Sequence, residues 1–310
     1  MTHRIRGALA PVLTPFTADL APDTERFVAH CRWLAGHGVG LAVFGTNSEA
    51  ASLSTGERIA LTDALLEAGV PAGRLMPGTG ACVLSDAVAL SRHASRAGAG
   101  GLLVLPPFFF KGVSEDGVFA YYAELIERVG SGCEPIYLYH IPQFTCVPVT
   151  PALVERLLAR YPGVIAGAKD SSGDWDNTRA LLENFAAGGF DVFPASESLL
   201  SAALPLGAAG CISATVNVNP GGIQRLIEGW RGPEGPDLQR AADRVRQAFQ
   251  GASMIPAMKH AVALHAGQPV WRTVRPPLTP LGEDAGRRLR GDLEAIGFAM
   301  PGYPRAPQET

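Results

Sequence analysis

The stretch VIAGAKDSSGD, residues 164–174, runs through small and apolar side chains to Lys169 and then turns polar. Of 26 basic residues only Lys111, Lys169 and Lys259 are lysine, so arginine carries nearly all the remaining positive charge. An amine held in a poorly solvated, partly apolar place loses stability in its charged form. Its free base can add to a ketone, and the protonated imine then withdraws electrons from the neighbouring carbons. Spacing alone leaves a second option, in which Lys169 pairs with Asp170 or reaches out to solvent. Lys111, in a loop, and Lys259, in a helical pattern, read as surface residues.

Other positions could serve that chemistry. Tyr139 closes the run PIYLYHIP; a phenol beside an imine-forming amine can pass protons to and from a substrate, although a strand tyrosine can also simply pack. In GTNSEA, residues 45–50, Gly45 permits a tight turn. The backbone amides and hydroxyl at Thr46 and Asn47 suit a carboxylate, or else cap the turn. Glu49 reads as holding that loop. Ser196, Glu197 and Ser198 either cap a helix or meet hydroxyls on the far part of a substrate. Phe108, Phe109 and Phe110 could shape a pocket mouth, fill a subunit interface or pack in the core.

These residues stand at the ends of regularly spaced runs. Eight strand-like runs begin at IRGALAPVLTPF and end at GCISATVN, separated by segments with apolar residues three and four apart. Several of those segments open on Ser, Thr or Asp and close on Gly, as helices do. Near-continuous apolar strands are buried on both faces, which parallel sheets require. Eight βα units predict an α/β fold, a closed (β/α)8 TIM barrel over 1–222. A helical C-terminal extension follows over 223–310, divided by the proline-rich RPPLTPL at 275–281. The active site of such a barrel lies at the C-terminal ends of its strands, where the residues named above fall, Lys259 excepted.

Composition narrows the partners. The 310 residues are 47% hydrophobic and 18% charged, with a net charge of −3. That balance suits a globular core and provides no field for nucleic acid or an anionic membrane. No apolar run is long enough to cross a bilayer. The prolines at 11 and 15 interrupt the only N-terminal apolar run, so a signal peptide is not expected. Five dispersed cysteines without a CxxC pair read as reduced, mostly buried thiols of a cytoplasmic protein. His30, Cys31 and His37 lack zinc-site spacing. Neither metal nor organic cofactor is expected.

Taken together, ALAPVLTPF, GTNSEAASLSTGER, YLYHIP, GAKDSSGD and IPAMKHAVALHAG…RPPLTPL resemble, in order, the motifs of the dihydrodipicolinate synthase and N-acetylneuraminate lyase family. These are class I pyruvate-dependent aldolases on a (β/α)8 barrel. The resemblance implies that Lys169 is the Schiff-base lysine and Tyr139 the acid/base phenol. Thr46 and Asn47 then bind the 2-oxo acid carboxylate, with Thr46 also in the proton relay. The backbone around Ile212 lines the pyruvate end, and Phe144 and Phe109 stand at positions where the family has a substrate-binding arginine and a relay tyrosine. A homotetramer is the common assembly.

Departures from the family pattern bear on substrate. Phe144 stands where the synthases carry an arginine for a second carboxylate, and an apolar ring cannot replace a guanidinium. Phe109 stands where a neighbouring subunit usually offers a tyrosine. Asn47 and Ser48 replace Thr and Gly, and His140 replaces Asn. The expectation is a lyase cleaving a 4-hydroxy-2-oxo acid to pyruvate and an aldehyde. The competing readings are a 2-oxo-3-deoxy sugar acid dehydratase on the same lysine, a true 4-hydroxy-tetrahydrodipicolinate synthase, and an oxo-acid-binding regulator.

Overall fold

The computed structural model describes residues 4–251 and 253–305. Small and apolar runs form the parallel strands β1 (Gly7–Ala10), β2 (Gly40–Leu41), β3 (Leu102–Val104), β4 (Ile136–His140), β5 (Ile165–Asp170), β6 (Asp191–Pro194) and β7 (Gly210–Ile212). β2, β1 and β7 pair in that order, as do β3, β4, β5 and β6. The expected third run is not a regular strand. It joins the wall through two single parallel bridges, Leu41 to Leu75 and Gly78 to Leu103. The remaining gap is spanned where the Ala209 amide donates to the Val192 carbonyl at 3.0 Å. The chain thus closes as a TIM barrel with eight wall segments.

Alternation along each strand divides the core in two. Leu9, Ala42, Met76, Leu103, Tyr137, Tyr139, Ala166, Phe193 and Ile212 fill the barrel interior. Their neighbours, such as Ala8, Leu41, Val104, Leu138, Val192 and Cys211, face the surrounding helices. Several helices start as their caps predict: Ser54 accepts from the Glu57 amide while Glu57 accepts from the Ser54 amide. At the N-terminal end of the barrel Asp191 is buried, paired with Arg6 at 2.6 Å and accepting from the Tyr137 hydroxyl at 3.3 Å.

The register of β5 on β4 is irregular. Ile136 opposes Ile165, but Tyr137 opposes Gly167 and Tyr139 opposes Lys169, so Ala166 is skipped. Ile165 and Ala168 both pack outward while Ala166 packs inward. Strict alternation from Ile165 would have turned Lys169 toward the helices; the skipped residue turns it into the barrel. Gly167 makes the shift possible, since a Cβ there would lie 2.1 Å from the Asp191 carbonyl oxygen.

Two expectations need correction. A boundary after residue 222 falls inside the helix Pro220–Gly229. That helix packs on β1, and the Ala8 amide donates to its Gln224 at 3.3 Å. It is therefore the helix that follows β7, and the extension begins after it, with the helices Gly235–Ala248, Met254–Ala266 and Glu283–Ala295. The cysteines are not mostly buried: Cys31 and Cys211 are, Cys133 is half-buried, and Cys82 and Cys146 are exposed. Among the described residues no helix is long and apolar enough to cross a membrane.

Candidate active site

The C-terminal ends of β4 and β5 place Tyr139 and Lys169 side by side. Lys169, 3% exposed, donates from Nζ to the Tyr139 hydroxyl at 3.1 Å. The same ammonium lies 4.2 Å from the centroid of the tyrosine ring. Thr46 arrives on the turn after β2, and its Oγ1 is 3.0 Å from Tyr139 Oη. The three side chains form one chain of polar atoms in an otherwise apolar barrel. Burial by itself pushes the Tyr139 phenol up; the neighbouring charge of Lys169, then the hydrogen bonds from Thr46 and Lys169, outweigh it. The phenol is held below its ordinary value of 10.0. Asp170 does not compete for the lysine, because Ser172, Asn177 and Thr178 donate to its oxygens.

Other expected residues take varied positions. Asn47 is half-buried on the same turn as Thr46. Ile212 ends β7 inside the barrel, paired with Leu9. Phe144, on the short helix Pro142–Thr145, is 65% exposed, and Phe109 is 73% exposed with its ring edge-on to Phe110. Glu197 is engaged by the protein itself. It is 0% exposed, accepts short hydrogen bonds from Ser213 and Thr215, and pairs with Arg246 at 3.1 Å. A buried carboxylate so engaged is satisfied by the protein itself.

Several residues were missed by the sequence reading. Ser171, two positions after the lysine, keeps its Oγ buried beside the Tyr139 phenol without a hydrogen bond of good geometry. Gln143 crosses from the β4 loop to donate to the Ser171 carbonyl at 2.6 Å. His140 accepts from the Val149 amide through Nδ1 at 3.0 Å and so orders residues 141–149. Burial pushes its imidazole down against the pull of Asp170. The surface expectation for Lys259 is overturned: it is 0% exposed and paired with Glu49. Burial, opposed by Glu49, pushes its amine down to about 8. The signal was available, since MIPAMKHAVALHA is apolar on every face and such a helix is buried. Among the described residues no group of three or more His, Cys, Asp or Glu is placed to hold a metal.

The Dihydrodipicolinate synthetase family matches residues 4–296. An uncharacterized DapA-like lyase of Chloroflexus aurantiacus is 34% identical over 298 residues, 94% of this chain and 97% of that protein. The crystal structure of dihydrodipicolinate synthase from Agrobacterium tumefaciens superposes with a TM-score of 0.85 at 32% identity, covering 94% of this chain and 99% of that one. YagE, a prophage protein of the same family from Escherichia coli K12 solved in complex with pyruvate, superposes with a TM-score of 0.84 at 29% identity. That match covers 95% of this chain and 99% of YagE.

Proposed function

The chain belongs to the dihydrodipicolinate synthetase family and is an enzyme of lyase type, and from that footing we propose that it is a Schiff-base aldolase that cleaves a 4-hydroxy-2-oxo acid to pyruvate and an aldehyde. The observation that carries the reading is the continuous chain from Lys169 Nζ through Tyr139 Oη to Thr46 Oγ1. A phenol held low beside an ammonium can ionise, and its phenolate can take the ammonium proton, which leaves a free amine at the barrel mouth.

In this reading Lys169 adds to C2 of the oxo acid, and the proton that Tyr139 took from the ammonium passes to the C2 oxygen, so that water leaves and the protonated imine and a Tyr139 phenolate remain. The Tyr139 oxygen takes the proton of the C4 hydroxyl as the C3–C4 bond breaks. The bonding pair passes into the imine, giving an enamine and releasing the aldehyde. A proton returned to C3 regenerates the imine, and hydrolysis frees pyruvate and the lysine. Thr46, hydrogen-bonded to the phenol, orients its oxygen. Thr46 and Asn47 offer the turn after β2 to the substrate carboxylate, and the buried Ser171 hydroxyl lies beside the phenol. YagE, 29% identical and solved with pyruvate, supports the choice of 2-oxo acid.

Phe144 argues against a second carboxylated substrate, and with it against dihydrodipicolinate synthesis. The exposed Phe109, Phe110 and Phe144 support a homo-oligomer in which a second copy covers this apolar surface. The test is incubation with pyruvate, borohydride reduction and peptide mass mapping. An adduct on Lys169 is expected, and its absence would sink the Schiff-base reading. A panel of 4-hydroxy-2-oxo acids, scored for aldehyde release against water loss, separates aldolase from dehydratase.

A further inference from the structure

The loop that carries Thr46 has a conformation it cannot hold by its own backbone preferences. Glu49, which closes the short turn Thr46–Ser48, sits in the left-handed region with φ 56°. Phe44, just before the turn, has φ 60°. Side chains with a Cβ avoid that region, so an arrangement with two such residues persists only where its surroundings impose it. Within the loop, the Glu49 amide donates to the Thr46 carbonyl at 3.1 Å. The orientation of Glu49 is therefore passed directly to Thr46.

What imposes it comes from the far end of the sequence. The Glu49 carboxylate is paired with Lys259, both side chains being fully buried, and it accepts from the Arg275 amide at 3.1 Å. Lys259 in turn donates to the Thr273 carbonyl at 2.8 Å. Arg275 holds the Glu57 carboxylate and the Ser52 carbonyl. Lys259 and Arg275 lie 4.4 and 4.6 Å from the centroid of the Phe16 ring. On the opposite side, Thr14 donates to the Ser48 carbonyl at 2.8 Å.

We propose that Lys259 and Glu49 are a positioning pair for the proton relay. Through one buried ion pair, the C-terminal helices hold the loop that keeps Thr46 Oγ1 against Tyr139. Neither residue touches the reacting atoms. The proposal rests on the reading of Lys169, Tyr139 and Thr46 given above. It assigns the C-terminal extension a part in catalysis rather than in packing alone.

The experiment compares the full-length protein with Glu49→Gln and with the double variant Lys259→Met/Glu49→Gln. Glu49→Gln keeps an acceptor for the Arg275 amide. The double variant removes both charges, which leaves no buried ion unpaired. Each is trapped with pyruvate and borohydride to count imine-competent sites, then assayed for exchange of the pyruvate methyl protons in D2O by NMR. Both variants are expected to trap pyruvate on Lys169 as fully as the wild type. They should exchange about 10- to 100-fold more slowly per trapped site, because small displacements of a relay group cost rates of that size. The KM for pyruvate should rise as well, because the same turn offers its amides to the carboxylate, so exchange is compared at saturating pyruvate. Exchange per trapped site within twofold of the wild type, in either variant, would overturn the proposal while leaving the Schiff-base reading intact. A wild-type protein that traps no pyruvate would overturn the Schiff-base reading, and this proposal with it.

Discussion

Replacing Tyr139 with phenylalanine removes one oxygen and leaves the ring that packs inside the barrel. That oxygen takes part in two hydrogen bonds, with Lys169 at 3.1 Å and with Thr46 at 3.0 Å. Each is worth about 1 kcal/mol net to stability, so the variant should fold with a loss of about 1–3 kcal/mol once the unpaired Thr46 hydroxyl is included. The catalytic loss should be larger. A positioned acid/base contributes a factor of about 10² to 10⁴, or about 3–5 kcal/mol of barrier. Purified Tyr139→Phe should therefore melt as a folded protein and still form some borohydride adduct. Its pyruvate proton exchange and its cleavage of hydroxy-oxo acids should fall by at least about 100-fold. The pH profile provides the independent readout. The wild type carries an ionisation from a phenol held below its ordinary 10.0, and the variant should lose that limb. A rate loss under about fivefold with an unchanged alkaline limb would refute the assignment of Tyr139 to the relay.

Gly167→Ala should be costly in both fold and chemistry. Its Cβ would meet the Asp191 carbonyl oxygen at 2.1 Å, so the strands must part. A loss of about 1–3 kcal/mol in thermal unfolding and reduced trapping of pyruvate on Lys169 are expected, and full trapping with wild-type melting would contradict the role given to the register shift. Acid stability reports on the contact between Arg275 and Glu57. The Arg275 hydrogen bond, opposed by partial burial, lowers Glu57 from 4.5 to about 2. A depressed carboxylate contributes stability that is present above pH 4.5 and lost as the pH falls through about 2. Melting temperatures of Arg275→Met should accordingly be lower near neutrality and fall less steeply than the wild type across that window; parallel curves would rule the linkage out.

Much of this architecture was legible in the order of residues. Apolar runs buried on both faces, helices with Ser and Asp caps, and turn signals between them required a parallel α/β fold, and the count of eight units favoured a closed barrel over an open doubly wound sheet. The barrel rule then put Lys169, Tyr139 and Thr46 at one end. Missed features were those in which a local pattern meets a distant one. His140 was unexplained because its partner, the Val149 amide, lies across a loop. Glu197 was read as part of a helix cap or as a substrate contact because its strand-end position is visible in the chain, whereas Arg246, on a helix 49 residues later, is not. Lys259 was placed at the surface although its helix had no polar face on which a lysine could reach water.

The sequence by itself determined that a lysine, a tyrosine and a threonine would stand at one end of one barrel, because burial and periodicity act locally. Only the tertiary structure decided that they touch. Side-chain direction alternates along a strand, so a single skipped residue, Ala166 beside Gly167, determines whether Lys169 faces the helices or the barrel interior. That choice depends on how closely β5 can approach β4 and β6. The approach is a matter of packing between strands that are far apart in the chain, and no local propensity records it.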